Sequence, residues 1–329
     1  MMGRMGSAKK GGGSTGRSKK GKMVGGKKSG KGGSSSSEEE GEIEVTTYQV
    51  QARPEGSAVG PRKNTVYISQ LLVGGIQLLD LTTGKEEEVV PPAEDRSTAG
   101  ITVYKNAIIA GGGGPRFEVT PSLHVFDIDT GDLIVTCFPP DGYLLVNDVI
   151  VKDGYVYATD TFFPAVLRFH AEALLAGKCV MDTIPLEPAE KFTADVENDI
   201  LASNGIIAYK KGFLICTFGF GSVHYLDGDT YETTELITGL TFPDGLTIMN
   251  DKLYVIASPG VFVFKLKGGK APTSAELIEE IIEEEFDALA TGVFVSPKEL
   301  VVMDLTLSQE FFVADTDPTA TYKVHRIDL

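Results

Sequence analysis

From about Glu42 onward one pattern returns six times, and a pattern returning at this spacing restricts the fold more than any single motif. Six segments open alike: Glu55-Gly56-Ser57-Ala58-Val59, Ala99-Gly100-Ile101-Thr102-Val103, Asn147-Asp148-Val149-Ile150-Val151, Asn204-Gly205-Ile206-Ile207-Ala208, Asp244-Gly245-Leu246-Thr247-Ile248 and Thr291-Gly292-Val293-Phe294-Val295. Each is a small or turn-forming pair followed by a short apolar strand. A second apolar run answers each one, and a third follows, beginning at Ile76, Leu123, Val166, Val223, Val261 and Val324. The opening pairs lie 44, 48, 57, 40 and 47 residues apart, the spacing of four-stranded blades of about 40 to 50 residues. Both faces of these runs are apolar at many positions, as in sheets stacked against neighbouring sheets. The repeat predicts an all-β fold, a six-bladed β-propeller. Glu44 to Val50 is expected to add a strand to the last blade and close the ring.

Ser274 to Leu289 admits two readings. Leu277, Ile278, Ile281, Ile282 and Phe286 recur at helical spacing against Glu279, Glu280, Glu283 and Glu284, but the repeat requires an edge strand here, and that reading is preferred. Residues 1–41 form a separate unit, expected to be a disordered tail, and 42–329 form the propeller. Residues 1–37 hold ten Lys or Arg and no Asp or Glu, so the formal charge of -16 divides into +10 for this segment and -26 for the rest. A segment of Gly, Ser and Lys cannot bury enough apolar surface to offset its ordering entropy. The acidic body argues against a nucleic-acid partner. No stretch approaches the roughly 18 to 20 apolar residues of a membrane span, and none has a signal-peptide core. A cytoplasmic location is favoured, with organellar import through the basic tail as the alternative.

Cys137, Cys179 and Cys216 match no zinc or redox spacing. Buried thiols are expected, with one disulfide and a spare thiol as the alternative for an exported protein. His124, His224 and His325 occupy one position of the third strand in three different repeats. Equivalent positions in separate blades stand far apart, so these residues are expected to serve structural roles. Gly111 to Pro115 reads as a Gly-rich loop, without the Lys and helix that would make it a phosphate cradle.

The first residue of each repeat starts the innermost strand, where six strands converge on the axis. Those residues are Glu55, Ala99, Asn147, Asn204, Asp244 and Thr291. Four of them carry a carboxylate or amide oxygen, although they lie up to 189 residues apart in sequence. Two carboxylates and two amides, with no Cys or His, suit a hard cation with room for six to eight oxygens, which favours calcium over zinc or magnesium. Glu55, Asn147, Asn204 and Asp244 are the candidate metal ligands, and Asp148 is placed to support the ligand beside it.

Asn147-Asp148 before a strand, Ser203-Asn204-Gly205-Ile206, Pro243-Asp244-Gly245-Leu246 and Pro54-Glu55-Gly56 together resemble the regucalcin and gluconolactonase family, and more distantly diisopropyl-fluorophosphatase and the paraoxonases. The resemblance covers about residues 50 to 329. It implies an axial divalent cation on the four positions just named, and hydrolysis of lactones, esters or organophosphates. The function expected is a calcium-dependent hydrolase of a small lactone or ester, extending to a phosphotriester, in which the cation polarises the scissile group. Asp244 and Asn147 are the catalytic candidates, with Asp244 or a water attacking. The family's substrate-contacting Arg has no clear counterpart, and Arg116 is the candidate. The alternative from another class is a non-enzymatic propeller whose metal is structural and whose face binds a partner.

Overall fold

The structure, a computed structural model, describes residues 43–51, 53–114, 119–198, 200–305 and 321–329. Among these, 24 strands fall into six four-stranded antiparallel sheets. Blade 1 is β2 (Pro54–Val59), β3 (Thr65–Gln70), β4 (Gly75–Asp80) and β5 (Lys85–Val90). Blade 2 is β6 (Ile101–Tyr104), β7 (Ala107–Gly114), β8 (Val119–Asp127) and β9 (Leu133–Cys137). Blade 3 is β10 (Val146–Lys152), β11 (Tyr155–Asp160), β12 (Ala165–His170) and β13 (Met181–Pro185). Blade 4 is β14 (Ser203–Tyr209), β15 (Gly212–Thr217), β16 (Ser222–Leu226) and β17 (Thr233–Ile237). Blade 5 is β18 (Thr241–Met249), β19 (Lys252–Ser258), β20 (Gly260–Lys267) and β21 (Ser274–Ile281). Blade 6 takes β22 (Leu289–Ser296), β23 (Glu299–Asp304) and β24 (Tyr322–Asp328) from one end of the chain and β1 (Glu44–Val50) from the other.

That last pairing closes the ring as expected, with Glu44 opposite Asp328 and Val50 opposite Tyr322. The innermost strands meet in cyclic order, and β2 touches both β6 and β22. The core is divided among the gaps between blades. Ile109 and Leu123 pack with Val156 and Leu167 between blades 2 and 3, and Val66 and Leu79 with Val301 and Val324 between blades 6 and 1. Each fully buried aliphatic side chain stabilises the fold by about 1.5 to 3 kcal/mol relative to exposure. Because both faces of every blade are covered this way, the strands carry apolar residues on both faces, the feature that made the repeat readable.

Ser274–Ile281 is a strand, the outer edge of blade 5, so the helical reading does not hold. Its apolar residues at helical spacing are split: Ile281 is buried against Val261, whereas Leu277 and Ile278 face solvent. The Gly-rich segment expected as a loop is strand up to Gly114. A side chain at Gly111 would stand 2.4 Å from the Val146 carbonyl and one at Gly112 2.1 Å from that of Ser97, so glycine here lets β7 lie against the neighbouring backbone.

The cysteines follow the alternative and not the preferred reading. Cys137 at the end of β9 is bonded to Cys179 just before β13, and Cys216 is free and buried. The separation of 42 residues is close to one repeat, so the two cysteines stand side by side at the outer rims of adjacent blades, Cys137 in β9 and Cys179 in the chain leading into β13. The N-terminal tail, residues 1–41, and Arg116 lie outside the described residues. Among those described, no helix is long and apolar enough to cross a membrane.

Candidate functional site

The pairing of the innermost strand with its neighbour is interrupted at the same place in five blades. The register shifts between Pro54 and Ser57, Val146 and Val149, Ser203 and Ile206, Thr241 and Gly245, and Leu289 and Gly292. Glu55, Asn147, Asn204, Asp244 and Thr291 fall inside these irregularities. A bulge takes a residue out of the ladder and re-aims its side chain, which explains how one repeat position can serve the axis while the residues after it pack between blades.

The second repeat position explains how the strands approach so closely. A side chain at Gly205 would lie 2.4 Å from the Asp244 carbonyl oxygen, and one at Gly56 2.4 Å from that of Ala99. Asp148 breaks the glycine pattern. Its Oδ1 accepts from its neighbour Val149 N at 2.9 Å and its Oδ2 accepts from Ile206 N of the next blade at 2.9 Å. Asp148 therefore ties blade 3 to blade 4 beside the ring and adds a third carboxylate there.

A second set of cross-blade bonds holds the carbonyls of the axial residues. Ser69 Oγ donates to Ala99 O, Thr159 Oγ1 to Asn204 O, and the Cys216 thiol to Asp244 O at 2.9 Å. Thr291 Oγ1 donates to Glu55 O, closing the circle between blades 6 and 1. Thr291, the first residue of the sixth repeat and not one of the four candidate ligands, is thus a fastener of the Glu55 backbone.

All four candidate ligands are buried, and Asp244 is 2% exposed. Asn147 Nδ2 donates to Thr161 Oγ1 at 2.7 Å, which orients the amide. Glu55 Oε2, Asn204 Oδ1 and Asp244 Oδ1 are buried with no hydrogen-bond partner. Leaving one such oxygen unsatisfied costs about 1 to 3 kcal/mol, so three in one place demand an explanation. Burial pushes the Glu55 carboxyl up to about 7, with the Arg53 guanidinium opposing and Asp148 adding to the rise. Burial also lifts Asp244 well above the usual carboxylate range, and the charges of Glu55 and Asp148 lift it further. Asp148 is raised to about 6 by burial, against its two backbone hydrogen bonds. The three carboxylates lie close enough to disfavour one another's ionisation, which a cation among them would reverse.

Among the described residues no group of three or more His, Cys, Asp and Glu side chains is arranged to share a metal ion. A cation here must therefore draw on the amide oxygens of Asn147 and Asn204 as well. With oxygen the sole donor type, the set fits a hard divalent cation.

Two features lie on either side of the ring. Where the strands leave the axis there is a cavity of about 330 Å³, lined by all six innermost strands and including Ser57, Thr102, Asp148 and Thr247. Where the chain enters β2 stands Arg53, which is buried and whose Nε has no partner. The sequence reading missed Arg53, yet a signal was there. Two residues before each axial position the repeats read Arg53, Ser97, Leu145, Ala202, Phe242 and Leu289, and one of the six is charged.

The histidines stay in their separate blades. His124 bonds with Ser122 and Thr136, His224 with Ser222, and His325 with Thr47 and Asp304. Burial lowers both His124 and His224 to about 4, so they are neutral near pH 7.

Neither a scan against protein-family models nor a search of curated proteins finds a match. Solved structures do match in fold. A luciferin-regenerating enzyme aligns with a TM-score of 0.59 and 13% identity over 87% of this chain and 95% of its own. A gluconolactonase-family protein aligns at 0.56 and 14% over 86% and 92%. The major allergen Mala s 1 of Malassezia sympodialis aligns at 0.61 and 13% over 86% and 96%. At these identities the likeness establishes the propeller fold; function has to be argued from the site.

Proposed function

We propose that this protein is a hydrolase of a small lactone or ester that works with one axial divalent cation, calcium, held by Glu55, Asn147, Asn204 and Asp244. The observation that carries the reading is the set of buried, unpartnered oxygens on three of those four residues. A cation would satisfy all three at once and offset the mutual repulsion of Glu55, Asp148 and Asp244. When bound, it supplies Lewis-acid polarisation of the scissile carbonyl. The adjoining cavity has room for the waters that complete a shell of six to eight oxygens. Asn147 and Asn204 contribute oxygen without charge, the Thr161 contact holds the Asn147 amide in one orientation, and Asp244 provides the carboxylate that attacks or takes a proton from water. The likeness to a gluconolactonase-family protein and a luciferin-regenerating enzyme is in keeping with this class.

The test is calorimetric titration of the chelator-treated protein with calcium, followed by a screen of lactones, aryl esters and phosphotriesters with and without chelator. Calcium binding with turnover that chelation abolishes is expected. Binding without turnover would favour a structural metal in a partner-binding propeller, a reading to which the exposed Leu277 and Ile278 of blade 5, with Ile282 just after its edge strand, lend surface.

A further inference from the structure

The ring of axial residues has two unlike ends. At the cavity end the charged group is Asp148, a carboxylate, which repels an anion. At the other end Arg53 precedes β2 and is 7% exposed, so its guanidinium is largely withdrawn from water. Among the described residues it forms no ion pair and its Nε meets no acceptor. Its one electrostatic role on view is to oppose the rise in the Glu55 pKa caused by burial. A buried guanidinium is retained at a cost unless an acceptor meets its fork of donors. Unfilled oxygens for a cation and an unfilled N–H for an anion thus occur within two residues of each other, at Glu55 and Arg53.

We infer that Arg53 is the oxyanion-binding group of this site, receiving a substrate carbonyl oxygen and then a product carboxylate from the strand-start side of the ring. This rests on the proposed hydrolase function, and it names both the side of approach and the ligand class, a hydroxycarboxylate product. Hydrolysis of a lactone supplies that chemistry. The oxygen of water bonds to the carbonyl carbon, the ring C–O bond breaks, and the leaving alkoxide takes one of the two water protons. The acid so formed releases the other to solvent and becomes a carboxylate. Charge develops on the carbonyl oxygen during the first step, and donors held ready at that position stabilise it. The planar fork of an arginine suits a carboxylate in two-point contact.

The experiment uses the full chain, calcium and 4-hydroxybutyrate as the probe. In the calcium-loaded wild type, the Nε–H resonance of Arg53, assigned by its loss in Arg53→Gln, should shift in a saturable way as 4-hydroxybutyrate is added. A resonance that does not move overturns the inference, and Arg53→Lys, which keeps the positive charge, serves for the assignment should Arg53→Gln fail to fold. By calorimetry Arg53→Gln should bind 4-hydroxybutyrate at least about tenfold more weakly, the loss expected for a charge-assisted hydrogen bond. Its calcium affinity should be unchanged or higher, since a positive charge beside the cation has gone. Equal 4-hydroxybutyrate binding, or a parallel loss of calcium, would show Arg53 to be only a structural counter-charge. A shifting resonance in a protein that hydrolyses no lactone or ester leaves the anion site standing and removes the hydrolase reading. Turnover with a static Arg53 resonance does the reverse.

Discussion

The Cys216 thiol reaches across from blade 4 to the backbone carbonyl of Asp244 in blade 5, at 2.9 Å. Ser69 and Thr159 make the equivalent bond from the equivalent position of their blades, to Ala99 and Asn204. The free cysteine is therefore a third member of a set of hydroxyl-type fasteners, each setting the backbone of an axial residue on the next blade. Burial raises its pKa well above the usual thiol value, so it remains a protonated donor.

Substituting this residue separates the donor from the bulk. Cys216→Ser keeps an O–H in place and should bind calcium within about threefold of the wild type. Cys216→Val fills similar space without a donor, which should cost about 1 to 3 kcal/mol, in stability and in the positioning of Asp244. Calcium titration and thermal unfolding of the pair check this. Equal behaviour of the two variants would mean that the contact is incidental.

Reducing the Cys137–Cys179 bond should destabilise the protein without touching the axis. The bond spans 42 residues and staples the rims of blades 2 and 3, so its loss should cost about 2 to 4 kcal/mol through the freedom regained by the unfolded chain. Denaturant unfolding with and without reductant gives the difference, and calcium affinity should stay the same. The bond also bears on compartment, since disulfides persist in oxidising surroundings. Mass spectrometry of the protein taken directly from its source, with thiols blocked, should find this pair oxidised and Cys216 free.

The direction of the Glu55 and Asp244 shifts gives opposite pH trends with and without calcium. A carboxyl whose folded pKa lies above its unfolded value binds more protons in the fold, so stability falls as pH rises between the two values. For Glu55 that window runs from its usual 4.5 to about 7. The cation-free protein should therefore lose stability from Glu55 between pH 4.5 and about 7, and Asp244, also raised, adds a loss of the same sign. Calcium needs both groups ionised, so its affinity should fall by roughly tenfold per pH unit below 7 for each proton displaced. Thermal unfolding across this range, with chelator and with saturating calcium, should give slopes of opposite sign. Parallel slopes would remove the cation from the ring.

Much of this architecture was legible because blade geometry writes itself into sequence. Two-sided burial leaves apolar runs such as Val66-Tyr67-Ile68 and Leu253-Tyr254-Val255, and the return to the axis leaves the pair at the head of each repeat. The axial set could be aligned for the same reason. What did not show were contacts that depend on the rotation between one blade and the next. The Cys137–Cys179 pairing needs two outer strands placed side by side, and Ser69, Thr159 and Cys216 look like ordinary strand residues until the neighbouring carbonyl is seen. Blade 5's edge could be read as a strand only through the repeat, because an exposed strand with an extra residue at Ile278, opposite Val263 and Phe264 of β20, carries apolar residues at spacings that also suit a helix. Arg53 was legible only by reading two places upstream of the axis, where no family pattern directed attention.

Asp244 allows the sharpest separation of scaffold from chemistry. Asp244→Asn keeps an oxygen of nearly the same shape at the axis and removes one charge from a buried cluster of three carboxylates. Without calcium the variant should be more stable than the wild type near pH 7.5, because a carboxyl whose ionisation burial and two neighbouring carboxylates oppose has gone and Glu55 loses a repelling neighbour. With calcium the order should reverse, since hard-cation affinity depends on ligand charge. At calcium high enough to refill the site, turnover of whichever lactone or ester the screen identifies should stay about 100-fold or more below the wild type if Asp244 attacks or accepts the proton. Recovery of nearly full turnover on refilling would leave Asp244 a ligand only. The base would then have to be sought elsewhere, and Asp148, beside the ring at the cavity end with both oxygens already engaged by backbone N–H groups, is poorly free to serve. A water polarised at the cation would be the remaining nucleophile, and Asp148→Asn turning over normally would confirm that assignment.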